Sequence, residues 1–396
     1  MSRTLTTLVC LTSALAACSG TNGPLHAQNA DFVTTRIDQF DVPWALEFLP
    51  DGHLMISEGK GVIKLMDTDS GTIGEITGLP EVSYGGQGGL GDVVIHPDFQ
   101  ENSLVYISYV EPGEGDTSGA AVARAQLNLS GGGGELTNLD VLWRQVPKVS
   151  GQGHYGHRIA FGPDGYLWIS SGDRQKFDPA QDLGTNIGKV VRLNMDGSVP
   201  DDNPFNARGG VAAEIWSFGH RNPLGLAFDE EGQLWNIEMG PKHGDELNRV
   251  KRAANYGYPI VSNGDHYDTQ SIPEHPLSSR TAAAIRDHGL EIPDHDMHPE
   301  FDMPSAYWVP AISPSSLMFY SGNEFPDWNG NAFVGGLSSQ AIIRVEVDGE
   351  IAQEAQRLEV DGRRIRDVEQ GPEGAIWVLE DGRRGDGYLF KLTAPQ

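Results

Sequence analysis

The chain has 396 residues and a formal net charge of −27. A surface so acidic repels a phosphate backbone, which excludes nucleic acid as a partner, while its carboxylates offer oxygen ligands to a hard cation such as calcium. Fifty glycines and 24 prolines fit many tight turns and leave little room for long helices.

Residues 1–17 read as a secretory leader. Arg3 is a thin basic start, Leu5 to Leu15 supply an apolar core, and Leu15-Ala-Ala-Cys18 closes it with small residues, as a bacterial lipobox does. An ordinary leader with a coincidental cysteine is the plainer reading; the position of the small residues favours the lipoprotein. Cys18 then becomes the lipidated first residue, and Ser19 behind it, in place of Asp, points to the outer membrane, facing the periplasm. Without the leader the charge is 27 − 55 = −28. Cys10 lies inside the leader, so the mature chain has no disulfide and holds by core and metal alone. Residues 18–30 read as a flexible tether, and 31–396 as one domain. No other stretch approaches the length needed to cross a bilayer.

From Phe48 onward one phrase recurs: an apolar residue, a Pro-Asp or Asp-Gly turn, then a short apolar strand. Its copies are Phe48–Ser57, Ile95–Ser108, Phe161–Ser170, Phe228–Ile237, Phe325–Val334 and Gly371–Val378. Each is a hairpin signal. Repeats of this kind mark a β-propeller, whose sheets bury their faces only against their neighbours. Six copies predict an all-β, six-bladed β-propeller of four-stranded antiparallel blades. Gly131–Gly134 reads as a hairpin tip.

Between the copies lie segments rich in chemistry. Gly86-Gln-Gly-Gly-Leu90 comes first, with Gln87 inside it. His154 and Asp173 follow, one at the start and one at the end of what reads as a single strand. That pairing suits a general base and the carboxylate that fixes its tautomer; a loop histidine and a turn-forming aspartate are the plainer alternative. Arg221 and Asn222 sit in a Gly-His-Arg-Asn-Pro turn. Gly240-Pro241 with Asp245-Glu246 offers carbonyl and carboxylate oxygens to calcium. The stretch 264–300 gathers His266, His275, His288, His295 and His298. Zinc on His295 and His298 is one reading; a solvated lid is favoured, because no ligand pattern is complete. Tyr307 and Trp308 are either a wall for a planar ligand or blade core, core being favoured by composition. Arg364 and Arg366 alternate on a strand and so share a side, where two guanidinium groups repel unless an anion lies between. A polycarboxylate suits them; Asp361, Asp367 or Glu369 could equally take them.

In order, these segments resemble the soluble PQQ-dependent aldose sugar dehydrogenases of the glucose/sorbosone dehydrogenase family, from about Val42 to Leu392. The specific matches are Gly86–Leu90, Asn186–Gly197 with Asp202-Asn-Pro204, Gly219–Pro223, Gly240-Pro241 with Asp245–Asn248, and Asn255–Pro259. The resemblance implies pyrroloquinoline quinone (PQQ) on the channel mouth, calcium at its quinone edge, and aldose oxidation to a lactone with a periplasmic electron acceptor. It makes His154 the general base, Asp173 its partner, and Gln87 a residue near the substrate. It sets Arg221 and Asn222 at the quinone edge and Arg364 and Arg366 on the cofactor carboxylates. The carbonyls of Gly240 and Pro241 become calcium ligands, Glu246 and Tyr256 belong to a second calcium, and Tyr307 and Trp308 flank the cofactor. Ser338 stands where some relatives have a lysine, for which Lys60 or Arg344 would be the substitutes. A calcium-dependent lactone hydrolase of propeller fold and a non-catalytic binding propeller are the alternatives. The three matched arginines weigh against the first, and Ser338 alone encourages the second.

Overall fold

The recurring phrase folds as a four-residue hairpin loop between strands β3 (Pro43–Phe48) and β4 (His53–Glu58). Leu49 N–H donates to the His53 carbonyl at 2.8 Å, and Gly52 N–H to the Leu49 carbonyl at 2.9 Å. Gly52, at φ +90°, occupies the left-handed region that closes such turns. The same pair of bonds recurs at 162–166, 229–233 and 371–375. Two copies instead enclose a single helical turn, Phe99–Asn102 and Pro326–Trp328.

This computed structural model describes residues 26–28, 31–267, 292–383 and 385–395. The leader, the Cys18 anchor, and His275 and His288 lie outside the described residues. Strand β1 (His26–Gln28) pairs with β2 (Val33–Asp41), so part of the expected tether is strand. An extended backbone completes the ladder that the edge of β2 leaves open.

The rest is a succession of antiparallel meanders. After β3 and β4 come β5 (Val62–Asp67) and β6 (Ile73–Thr77), then β7 (Leu90–Ile95), β8 (Leu104–Pro112), β9 (Thr117–Ser130) and β10 (Gly133–Arg144). A short parallel contact between β6 and β10 joins these two meanders into a nine-stranded sheet, with β11 (Val149–Ser150) on β9. Three four-stranded sheets follow. They are β12 (Gly156–Phe161) to β15 (Ile215–Phe218) with β13 (Tyr166–Ser171) and β14 (Lys189–Asn194) between; β16 (Pro223–Phe228), β17 (Leu234–Glu238), β18 (Asp245–Arg249) and β19 (Ala306–Trp308); and β20 (Pro314–Phe319), β21 (Ala332–Gly336), β22 (Ala341–Asp348) and β23 (Ile351–Glu359). The last sheet holds β24 (Ile365–Gln370), β25 (Ile376–Glu380) and β26 (Asp386–Thr393), with the N-terminal β2 as its fourth strand and β1 outside that.

The first strands touch in the order β3, β7, β12, β16, β20, β24 and back to β3. Apolar clusters fill the space between consecutive meanders: Leu65 with Ile107, Val110 with Ile169, Trp168 with Leu234, Ile237 with Val334, Phe333 with Val378, and Leu379 with Leu54. Second strands such as Leu54-Met-Ile-Ser are buried on both faces and so lack alternation, whereas the outer β23 alternates exposed and buried.

Arg158 on β12 ties the inner strands together. It donates to Asp92 Oδ1 at 3.1 Å, Asp367 Oδ1 at 3.0 Å, the Ser315 carbonyl at 2.8 Å and the Leu224 carbonyl at 2.8 Å. Its guanidinium carbon lies 4.2 Å over the Trp44 ring.

Candidate active site

His154 and Asp173 flank the β12–β13 hairpin, not a single strand as the sequence reading had it. The antiparallel return is what brings them to one end, with His154 Nδ1 2.6 Å from Asp173 Oδ1. Both are buried. An ionised carboxylate accepts only, so Nδ1 carries the proton and Nε2 is left with its lone pair. Burial, then the Arg221 charge, hold the imidazole below its ordinary value against the pull of Asp173. Burial raises the Asp173 carboxyl, but His154 and then Arg221 more than offset it and keep it ionised.

Backbone conformation is spent on this arrangement. His154, His157, Arg174, Gln175 and Phe177 all have positive φ without being glycine, the kind of strain that persists where neighbours over-determine it. Arg174 does much of that. Buried against Tyr155, it donates to the carbonyls of Gly153, Ser118 and Gly151 at 3.0, 2.6 and 2.6 Å, and its N–H to the His154 carbonyl at 3.1 Å. The Asp173 amide donates to the Arg221 carbonyl at 2.7 Å, linking two sheets. Gln87 Oε1 accepts the His154 amide at 2.7 Å.

Gln87 also lines a cavity of ≈ 390 Å³, within the range of small-molecule sites. Its walls include the start of every first strand or the loop before it, so it lies on the axis, together with residues that follow second strands such as Met239 and Leu337; Trp44 and Tyr155 are also among them. On one side stand Arg364 and Arg366, brought together as their spacing predicted, with Asp381 between them. Arg364 donates twice to Asp381 Oδ2, at 3.0 and 2.7 Å, and Arg366 Nη2 lies 3.3 Å from Oδ1. The acid they hold is therefore none of those suggested by sequence: Asp367 is engaged by Arg158. Asp381 comes from the adjacent β25–β26 turn and looks like any other turn residue.

Arg221 does not itself line the cavity; its Nη1 donates to the carbonyls of Met239, which does, and of Gly240, at 3.0 and 2.8 Å. Among the described residues, Arg221 Nε and Asn222 Oδ1 are buried with no hydrogen-bond partner. Buried polar groups are normally paired, so these two atoms are open to a further partner. Asp245 organises this loop by accepting the amides of Gly240, Ile312 and Ser313. Tyr258 lies against both Arg221 and Asp173, and burial raises its phenol well above the ordinary range. Nothing in the spacing of Asn255-Tyr-Gly-Tyr-Pro259 singles it out.

Other expected residues lie elsewhere. Trp308 is core, its Nε1 donating to Glu354 at 2.7 Å, and Tyr307 is exposed on the outer strand; neither lines the cavity. Glu246 lies 3.4 Å from buried His295, whereas His298 pairs with Glu300, so the two histidines do not converge on zinc. The Tyr256 hydroxyl donates to the Arg249 carbonyl and its ring stacks on His220. Among the described residues no group of three acidic, His or Cys side chains is placed to hold a metal. Lys60 is paired with Asp41, and Arg344 with Asn331 and Glu346; neither lines the cavity.

Fold and site together define an all-β protein with a buried His–Asp pair tied through Gln87 to an arginine-lined cavity. Residues 40–391 match the Glucose / Sorbosone dehydrogenase family, and the chain belongs to that family of oxidoreductases. It is 36% identical over 394 residues to the aldose sugar dehydrogenase YliI of Escherichia coli, covering 98% of this chain and 97% of that one. It is 28% identical over 416 residues to quinoprotein glucose dehydrogenase B of Acinetobacter calcoaceticus, covering 87% and 84%. The apo-form crystal structure of the soluble Escherichia coli aldose sugar dehydrogenase superposes with a TM-score of 0.80 at 35% identity, covering 91% of this chain and 99% of that one. The PQQ-bound aldose sugar dehydrogenase of Streptomyces coelicolor gives 0.73 at 25% identity, covering 93% and 100%.

Proposed function

We propose that the chain is a six-bladed propeller that oxidises aldose sugars at the anomeric carbon to lactones, with PQQ and calcium as cofactors. The observation that carries this is the His154–Asp173 pair joined through Gln87 to a cavity walled by Arg364 and Arg366. The cyclic order of first strands supports the blade count. Arg221 Nε, a donor unpartnered among the described residues and set beside the cavity-lining Met239, fits an oxygen of a bound anion.

Arg364 and Arg366 would hold its carboxylates, Arg221 and Asn222 its reactive edge, and the Gly240 and Pro241 carbonyls the calcium. Glu246 and Tyr256 would hold a second calcium. Held there, PQQ would supply a hydride acceptor and calcium a Lewis acid beside it. His154 Nε2 takes the proton of the anomeric hydroxyl, and Asp173 stabilises the imidazolium that results. Arg221, buried beside the pair, offsets negative charge that builds opposite it. We further place the mature chain in the periplasm, anchored through Cys18 to the outer membrane and passing electrons to a periplasmic acceptor.

Titrating PQQ with calcium into the purified chain tests the reading. Stoichiometric uptake with a shifted quinone spectrum, and dye reduction with an aldose, are expected; absence of uptake overturns it. The pH profile gives a second check. Because the folded His154 pKa is below the ordinary 6.5, the base stays deprotonated at neutrality, and kcat/KM should fall only as pH drops below 6.5. Asp173→Asn should shift that limb lower still, since the carboxylate that raises the imidazole is gone.

A further inference from the structure

The cavity wall carries more positive charge than Arg364 and Arg366 supply. Arg383, in the β25–β26 turn, lines it too. Its amide donates to Asp381 Oδ1 at 3.2 Å, and its φ is +51°. Asp381 thus gathers two guanidinium groups and the backbone of a third arginine.

The donors of Arg364 are largely committed, two to Asp381 and Nη1 to the Leu337 carbonyl at 3.0 Å. The Arg383 guanidinium has no acidic partner among the described residues, and the residue is exposed on the cavity rim. Ser338 brings no charge, its hydroxyl donating to the Ala311 carbonyl at 3.1 Å. Asp381 cancels one of the two charges beside it. A tricarboxylate seated on Arg364 and Arg366 alone would be poorly neutralised at this end.

We propose that Arg383 is a third anion-binding residue of the cavity and takes a carboxylate of the bound cofactor. The inference rests on the PQQ reading above and adds a residue to its seat. A guanidinium matches a carboxylate in bidentate geometry, and the glycine-flanked turn gives it room to close down on the ligand. Its position away from His154 makes it a binding residue with no part in proton transfer.

The test is PQQ titration of the full-length protein in calcium, followed by tryptophan fluorescence and calorimetry. Arg383→Gln should weaken PQQ binding about 10- to 100-fold, the usual effect of losing a charge-assisted bond, while kcat at saturating PQQ stays within about twofold. Arg383→Lys should recover part of the affinity. The melting temperature without PQQ should not change, because the side chain is exposed, but the PQQ-induced rise should shrink. Wild-type affinity in Arg383→Gln overturns the inference and leaves the PQQ reading standing. A wild-type protein that binds no PQQ overturns that reading instead.

Discussion

Replacing His154 by Gln is expected to lower kcat for aldose oxidation by about 10²- to 10⁴-fold, the range general-base catalysis contributes, with PQQ affinity changed no more than a few-fold. Glutamine keeps a polar side chain of similar length and can still donate to Asp173, so the hairpin end survives while the basic lone pair is lost. The backbone is held independently of the imidazole, by Gln87 on the His154 amide and by Arg174 on the carbonyls around it. An effect on kcat at unchanged affinity is therefore diagnostic of chemistry rather than of folding. Loss of PQQ binding in parallel would mean that His154 shapes the cavity; activity within threefold of wild type would remove it from the reaction. Stopped-flow reduction of the loaded enzyme separates these outcomes.

Arg158→Met should cost about 3–5 kcal/mol of stability, as breaking a buried ion pair on one side does. Asp92 and Asp367 would stay buried without their cation, and Asp367 also accepts the Leu46 amide at 2.8 Å, so it cannot swing out freely. Burial already pushes the Asp92 carboxyl up to about 6 with Arg158 present. Further along the channel, burial and then Asp367 push Glu369 up to about 8. Without Arg158 both aspartates move further above their unfolded values. Their contribution is then present while they are protonated and lost as pH rises, so the deficit should be larger at pH 8 than at pH 5. Urea midpoints at the two pH values measure it. Asp92→Asn added to Arg158→Met should recover part of the loss; a variant as stable as wild type at pH 8 would show that the inner strands hold without this arginine.

The hairpin phrase was legible because its cause is local: a turn that needs a left-handed glycine between two apolar strands. The site segments were legible for the same reason, each being a run of unusual residues in one stretch of chain. What escaped depends on contacts across the sheet. Asp381 becomes the partner of Arg364 and Arg366 only when β25 lies beside β24, and before that it is one carboxylate among 55 acidic residues. Arg174 needs three carbonyls from distant segments to declare its role. Composition favoured core for Trp308, and only the family resemblance set it beside the cofactor. Its bond to Glu354, on the next sheet, decides the matter. His154 and Asp173 were assigned to one strand although the Pro163-Asp164-Gly165 turn of the recurring phrase lies between them; that turn makes the stretch a hairpin.

The final sheet mixes the two ends of the chain, with Val33 opposite Thr393 and Asp41 opposite Asp386. No amount of earlier synthesis can complete it. A polypeptide released before Asp386 would lack a strand and leave β2 and β25 as open templates for pairing with other molecules. A chain that lacks β26 therefore cannot shut this clasp, and its two open edges invite aggregation.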